Sequence, residues 1–146
     1  DIGKIAVPAQ ILSRPGELMD EDRRYLQLHC QKGYEILEPV DFPWPVAEVA
    51  FQHHEHMDGS GYPQGLRGEE ILLEARIVCV ADVVESLTAH RPYRPAYPLD
   101  EALKQITDKT GKWYDSRIVS VCTDLFKHGY QIHAIDMEEL EWILSL

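Results

Sequence analysis

The run His53-His54-Glu55-His56-Met57-Asp58-Gly59-Ser60-Gly61-Tyr62-Pro63 gathers three histidines and two carboxylates before a glycine-rich turn that Tyr62 and Pro63 close. Imidazole nitrogens and carboxylate oxygens suit a borderline-to-hard divalent metal, and no nearby cysteine pair marks a soft sulfur site. If helical, adjacent His53 and His54 project about 100° apart. That spacing suits two neighbouring metals, or one metal and one substrate, better than a compact mononuclear cage. A polar helix end carrying surface histidines is the competing reading.

Other residues could serve the same chemistry. Asp1 and Lys4 stand three apart, neighbours on one helical face, so that Lys4 could hold a phosphate beside a metal-bound Asp1; a frayed terminal pair is the alternative. His29 falls mid-helix beside an apolar surface, where a lone histidine is more often a hydrogen-bonded core residue than a ligand. Asp82 interrupts the apolar run Ile77-Val78-Cys79-Val80-Ala81-Asp82-Val83-Val84. An ionised group there is expensive unless metal-bound or paired, with Arg76 as the candidate partner. Arg91 and Arg94, in the rigid turn Arg91-Pro92-Tyr93-Arg94-Pro95, carry guanidiniums shaped to fork onto phosphate oxygens, or to make surface salt bridges.

Helices must position these groups. After a short turn over 9–13 and a break at Arg14-Pro15-Gly16, the pattern predicts an amphipathic helix from Asp20, its N-cap, to Leu37. Tyr25, Leu26, Leu28, Ile36 and Leu37 are its expected apolar surface. Pro39, Pro43 and Pro45 mark a rigid connection, and Val46 to Gln52 reads as a short helix delivering the histidines at its C-terminal end. A helix over 74–88 is favoured by length and by the absence of period-two alternation. Two amphipathic helices follow, over 100–109 after Pro98 and over 116–127, the second capped near Asp115 or Ser116. A C-terminal extension over 133–146 contains a short helix from Asp136 to Leu144, whose apolar side could dock on the body or on a partner. The expected fold class is all-α, a helical bundle.

Composition bounds the rest. The 146 residues, 45% of them hydrophobic, suit one domain with a sizeable core. A net charge of −11 argues against general nucleic-acid binding, which needs a cationic surface, though a small phosphate ligand held by local cations stays open. No run of about 18 apolar residues and no leader segment occur, so a cytoplasmic protein without a membrane span is expected. Cys30, Cys79 and Cys122 are odd in number and widely spaced, as reduced buried thiols would be.

Asp1-Ile2-Gly3-Lys4, His29, His53-His54-Glu55, Asp58 to Pro63, Ala81-Asp82 and Arg91-Pro92-Tyr93-Arg94 together resemble the HD-GYP family, in its order and approximate spacing, from Asp1 to about Phe126. The resemblance implies an HD-type helical bundle with two or three divalent ions, iron or manganese, with magnesium or nickel as alternatives. It implies hydrolysis of cyclic di-GMP to pGpG, and onward to GMP, in bacterial signalling. Asp1 then matches a bridging ligand, His29, His53, His54 and Asp82 match the other ligand positions, and Lys4 matches the lysine on the substrate phosphate. Gly61-Tyr62-Pro63 is the signature loop, near the substrate and bearing on protein partners, while Arg91 and Arg94 lie toward the substrate. In the family a histidine precedes the aspartate matched by Asp1, so the sequence is expected to be trimmed, with the domain's N-terminal helices and a sensor or receiver domain upstream. The implied chemistry is two-metal hydrolysis. An inactive module binding an effector or partner protein is the alternative from another class. A generic nucleotide phosphohydrolase of the wider superfamily is a weaker one, because it would lack the glycine-tyrosine-proline loop.

Overall fold

The structure is a computed structural model that describes residues 1–14, 16, 18–90 and 95–132. The expectations for Pro15, Arg91, Arg94 and the 136–144 helix lie outside the described residues. Among the described residues, a 3-10 turn over Ile2–Ala6 leads into six helices: α1 (Ala9–Leu12), α2 (Asp20–Leu37), α3 (Val46–Gln52), α4 (Leu73–Thr88), α5 (Leu99–Thr107) and α6 (Ser116–Lys127). A second 3-10 turn, Gly68–Glu70, precedes α4. Among the described residues there is no strand, only the isolated bridges Asp58–Arg67 and Thr110–Tyr114. The all-helical expectation holds.

Local chemistry accounts for most boundaries. Pro45 and Pro98 stand immediately before α3 and α5, where a missing N–H leaves no bond unmade. Asp115 caps α6, its Oδ1 accepting from the Arg117 N–H at 2.9 Å. The start of α2 differs from the expected Asp20 cap. Met19 is the N-cap, and Asp22, one turn in, accepts from the Met19 N–H at 3.1 Å. Asp22 also binds Arg14, so the third acidic residue of the turn serves as the anchor.

Helix α2 packs on the 3-10 turn and on α3, and α4 packs on α3, α5 and α6. The face that α2 buries carries Asp22, His29, Cys30 and Gly33. Tyr25, Leu28 and Ile36 instead face outward, correcting the expected apolar surface; only Leu26 and Leu37 of that set are half-buried. The reason is the crossing at Gly3. A Cβ there would lie 2.0 Å from the His29 carbonyl oxygen and 2.4 Å from the Gly33 nitrogen, so the two backbones touch and α2 turns its small residues inward. This contact sets Asp1 beside His29.

The second half of the chain forms a core of Cys79, Val80, Val84, Ile106, Tyr114 and Val119, with Trp113, Ile118 and Phe126 against it. Ile77 and Val78, at the start of the apolar run, are exposed. Arg76 binds Asp115 at 2.9 Å, with only 11% and 6% of the two side chains exposed, pinning the start of α6 to α4. It therefore does not pair with Asp82. Six positions along a helix turn a side chain by about 240°, onto another face.

Asp115→Ala is expected to cost about 3–5 kcal/mol in urea unfolding at neutral pH, because it strands a largely buried guanidinium and removes a helix cap. Burial pushes the Asp115 carboxyl up, but the hydrogen bonds from Arg117 and Arg76 outweigh it and hold the group below its ordinary value. A depressed carboxyl contributes stability that is fully present above the unfolded value of about 3.9 and is lost as pH falls through the folded value. The gap between wild type and Asp115→Ala should therefore narrow across that acid range. A gap that stays constant would contradict the pairing.

Candidate metal centre

His53 is the C-cap of α3, and His54 follows where the chain leaves the helix. His29 reaches them from the middle of α2. The rings of His29 and His53 lie 5.4 Å apart, those of His29 and His54 5.0 Å, and those of His53 and His54 4.2 Å. One donor atom from each of these three, together with Cys30 Sγ, falls within 4.8 Å of the others.

Two backbone carbonyls decide where the protons sit. His29 Nδ1 is 2.6 Å from the Leu26 carbonyl and His53 Nδ1 is 2.9 Å from the Ala50 carbonyl. A carbonyl only accepts, so each Nδ1 is assigned the proton and each Nε2 keeps a bare lone pair. The two Nε2 atoms then face each other at 3.4 Å without a proton to share. Asp1 Oδ1 adds a third acceptor, 3.5 Å from His29 Nε2 and 4.0 Å from His53 Nε2. Burial holds all three imidazoles below their ordinary value, His53 down to about 4 and His54 to about 2, so they are neutral at pH 7. The approach to Asp1 is consequently no ion pair. Two buried imidazole lone pairs and a carboxylate oxygen of the exposed Asp1 form a donor set that suits a divalent cation.

Lys4 closes one side, its Nζ donating to Asp1 Oδ2 at 2.6 Å. Asp82 enters from α4. Its negative charge opposes the lowering at His29 and His53 and raises Tyr62 and Cys79 further, which places it among these groups. Among the described residues it has no hydrogen-bond or salt-bridge partner, and Arg76 is committed to Asp115.

The remaining residues of the motif do something else. Glu55, fully buried, accepts from the backbone N–H groups of Gln64 at 2.6 Å, Gly65 at 3.1 Å and Leu66 at 3.0 Å. Asp58 accepts from the Ser60 N–H at 2.9 Å. His56 turns away from the other histidines and stacks on Trp113, centroids 4.4 Å apart and planes within 8°. These three hold the loop. Within it, Gly61 leaves no room for a side chain, since a Cβ would lie 2.4 Å from the His56 nitrogen and 2.5 Å from the His54 oxygen. The Tyr62–Pro63 peptide is cis. Tyr62 stacks on His54 at 4.9 Å, so the loop forms one wall of the cluster.

Cys30 is the residue that sequence reasoning left out of the site. Its Sγ is 3.6 Å from His29 Nε2, and burial pushes the thiol up to about 12. It is therefore a weak S–H donor there. Only its position beside His29 hinted at this.

The HD domain family profile matches residues 1–118. The chain belongs to the HD domain family, in its HD-GYP group. Among its relatives, the cyclic di-GMP phosphodiesterase response regulator RpfG of Xanthomonas campestris pv. campestris is 45% identical, over 88% of this chain and 34% of the relative. A cyclic di-GMP phosphodiesterase of Thermotoga maritima is 38% identical, over 95% and 38%. The 3'3'-cGAMP-specific phosphodiesterase 3 of Vibrio cholerae is 44% identical, over 70% and 22%. This HD-GYP chain thus spans about a third of the length of the first two. The fold is shared with a solved cyclic GMP-AMP specific phosphodiesterase of Vibrio cholerae (TM-score 0.61, 22% identity, 87% of this chain and 33% of that one). It is shared also with an HDGYP protein of Bdellovibrio bacteriovorus (TM-score 0.67, 22% identity, 87% and 40%). Membership of the HD domain family implies divalent-metal binding, and the histidine cluster is the candidate place for it. No helix among the described residues is long and apolar enough to cross a membrane.

Glu55→Gln removes the charge and one acceptor from a carboxylate that holds three amides. It is expected to lower stability by roughly 2–3 kcal/mol. Hydrogen exchange should accelerate at Gln64, Gly65 and Leu66 more than within α6. Equal protection of those amides in both proteins would contradict the anchoring role.

Proposed function

We propose that this HD-GYP chain is the metal-dependent hydrolytic unit of a cyclic dinucleotide phosphodiesterase, acting on cyclic di-GMP and yielding pGpG and GMP. The observation that carries the reading is the convergence of two proton-free Nε2 atoms 3.4 Å apart with Asp1 Oδ1 beside Lys4. In this reading His29, His53, His54, Asp1 and Asp82 hold two or three divalent ions. The nitrogen and oxygen donors suit iron or manganese, with magnesium or nickel as alternatives. When bound, the ions supply Lewis acidity toward phosphoryl oxygens and a more acidic water.

The chain's own residues then divide the work. Lys4, three residues from Asp1, neutralises a phosphate oxygen next to the acidic cluster. The Glu55-anchored loop with Gly61, Tyr62 and Pro63 walls the site and presents a surface to substrate and to a partner protein. Arg91 and Arg94 are proposed for the substrate phosphates on the HD-GYP resemblance, since a guanidinium can fork onto phosphate oxygens. Cyclic di-GMP is proposed as the substrate on the names of the relatives at 45% and 38% identity, and 3'3'-cGAMP, for which the relative at 44% is named, is tested beside it. A receiver or sensor unit as the source of regulation is supported by the first relative's name, a response regulator.

Full-length protein that includes the residues preceding Asp1, purified anaerobically and loaded with Fe(II) or Mn(II), should convert cyclic di-GMP to pGpG. Metal-loaded protein that hydrolyses neither cyclic di-GMP nor 3'3'-cGAMP would contradict the reading. Asp82→Asn is expected to lower bound metal per folded molecule several-fold while the melting temperature of metal-stripped protein stays within a few degrees of wild type. That outcome follows from Arg76 having Asp115 as its partner. Unchanged metal content would remove Asp82 from the ligand set.

A further inference from the structure

Helix α2 carries two donor-bearing residues side by side on its buried face, His29 and Cys30, with 2% and 0% of their surface exposed. A buried thiol commonly fills space as a small apolar group. Cys79 does so: it belongs to the apolar core of the second half, and its Sγ donates to the Glu55 carbonyl at 3.8 Å. Cys30 is placed differently. Its Sγ stands 3.6 Å from His29 Nε2, and one donor atom from each of His29, His53 and His54 lies within 4.8 Å of it. The lone pairs at His29 Nε2 and His53 Nε2 are buried and aimed into the same place.

The spacings have the size that one ion requires. Tetrahedral bonds of about 2.1 Å to nitrogen and about 2.3 Å to sulfur set two nitrogens about 3.4 Å apart and a nitrogen and a sulfur about 3.6 Å apart. The two Nε2 atoms are 3.4 Å apart, and His29 Nε2 and Cys30 Sγ are 3.6 Å apart. We propose that Cys30 is a thiolate ligand of the ion held by His29 and His53. The inference rests on the metal-binding reading of the cluster and narrows the choice of ion. In metal-free protein the thiol keeps its proton beside His29 Nε2. On metal binding a sulfur lone pair goes to the ion and the proton leaves to solvent. Thiolate is the soft donor of the set, and it favours zinc or iron(II) over magnesium or manganese, which prefer oxygen. Cys30 is therefore a specificity-determining residue for the metal.

Cobalt(II) is the probe, because thiolate ligation adds a near-ultraviolet sulfur-to-cobalt charge-transfer band that nitrogen and oxygen ligands do not give. Full-length protein that includes the residues preceding Asp1 is stripped of metal and titrated anaerobically with Co(II). The wild type should develop this band together with the visible cobalt bands. Cys30→Ser and Cys30→Ala should lose it and keep the visible bands. A Cys79→Ser/Cys122→Ser variant, with Cys30 the remaining thiol of residues 1–146, should keep it, so the assignment does not depend on the Cys30 variants folding. In chelator competition, Cys30→Ser should weaken Zn(II) binding at least tenfold and Mn(II) binding less than threefold. Visible cobalt bands without the charge-transfer band in the wild type would overturn the inference and leave the metal centre standing; no bound cobalt at all would overturn both. Loss of the band in the double variant, its survival in both Cys30 variants, or equal weakening of Zn(II) and Mn(II) would overturn the inference as well.

Discussion

Two hydrogen bonds inside helices α2 and α3 govern the rest of the site. By accepting from His29 Nδ1 and His53 Nδ1, the carbonyls of Leu26 and Ala50 fix both the ring orientation and the tautomer. Each carbonyl lies three residues before its histidine, on the same helix. The rings are thus held by rigid secondary structure and not by loops, and their free lone pairs point at one place before any cation arrives. Burial reinforces this by keeping the imidazoles neutral. A positively charged ring at either position would repel the cation that the cluster fits.

Backbone contacts bring those helices together. The Gly3 crossing sets the first turn of the chain directly on α2, so that Asp1 and Lys4 stand at His29. Glu55 performs the corresponding task for the loop after α3, with one buried carboxylate gathering three amides. The loop's other end is fixed by the Met57 N–H donating to the Trp113 carbonyl at 3.0 Å, which ties the wall of the site to the segment between α5 and α6. Arg76 and Asp115 close the frame by joining α4 to α6. Each of these contacts sacrifices side-chain freedom or space for position, which is the pattern expected where geometry has to be held to a fraction of an ångström.

Much of this was legible in the sequence. The bounds of α3 and α6 follow from Pro45 and from the Asp115 cap, and the histidine pair lies at the end of α3 because the helical pattern stops there. What escaped depends on direction in space. His53 and His56 have the same chemistry and nearly the same address, yet the chain leaves the helix at His53, which turns His56 onto Trp113. The partner of Arg76 lies 39 residues away in sequence and could not be read from local spacing, although the helical period already argued against Asp82. The exposed Tyr25, Leu28 and Ile36 were misjudged because hydrophobicity alone does not reveal that a backbone crossing requires the small face of α2.

The central claim is that His29 and His53 present proton-free Nε2 atoms to a shared cation. Long-range proton–nitrogen NMR correlation of 15N-histidine-labelled protein reads the tautomer of each ring directly. At pH 7, stripped of metal, both rings should be neutral with the proton on Nδ1, and stepwise addition of diamagnetic Zn(II) should shift both Nε2 resonances together. An Nε2–H tautomer at either ring, or Nε2 resonances unmoved by the metal, would contradict the account.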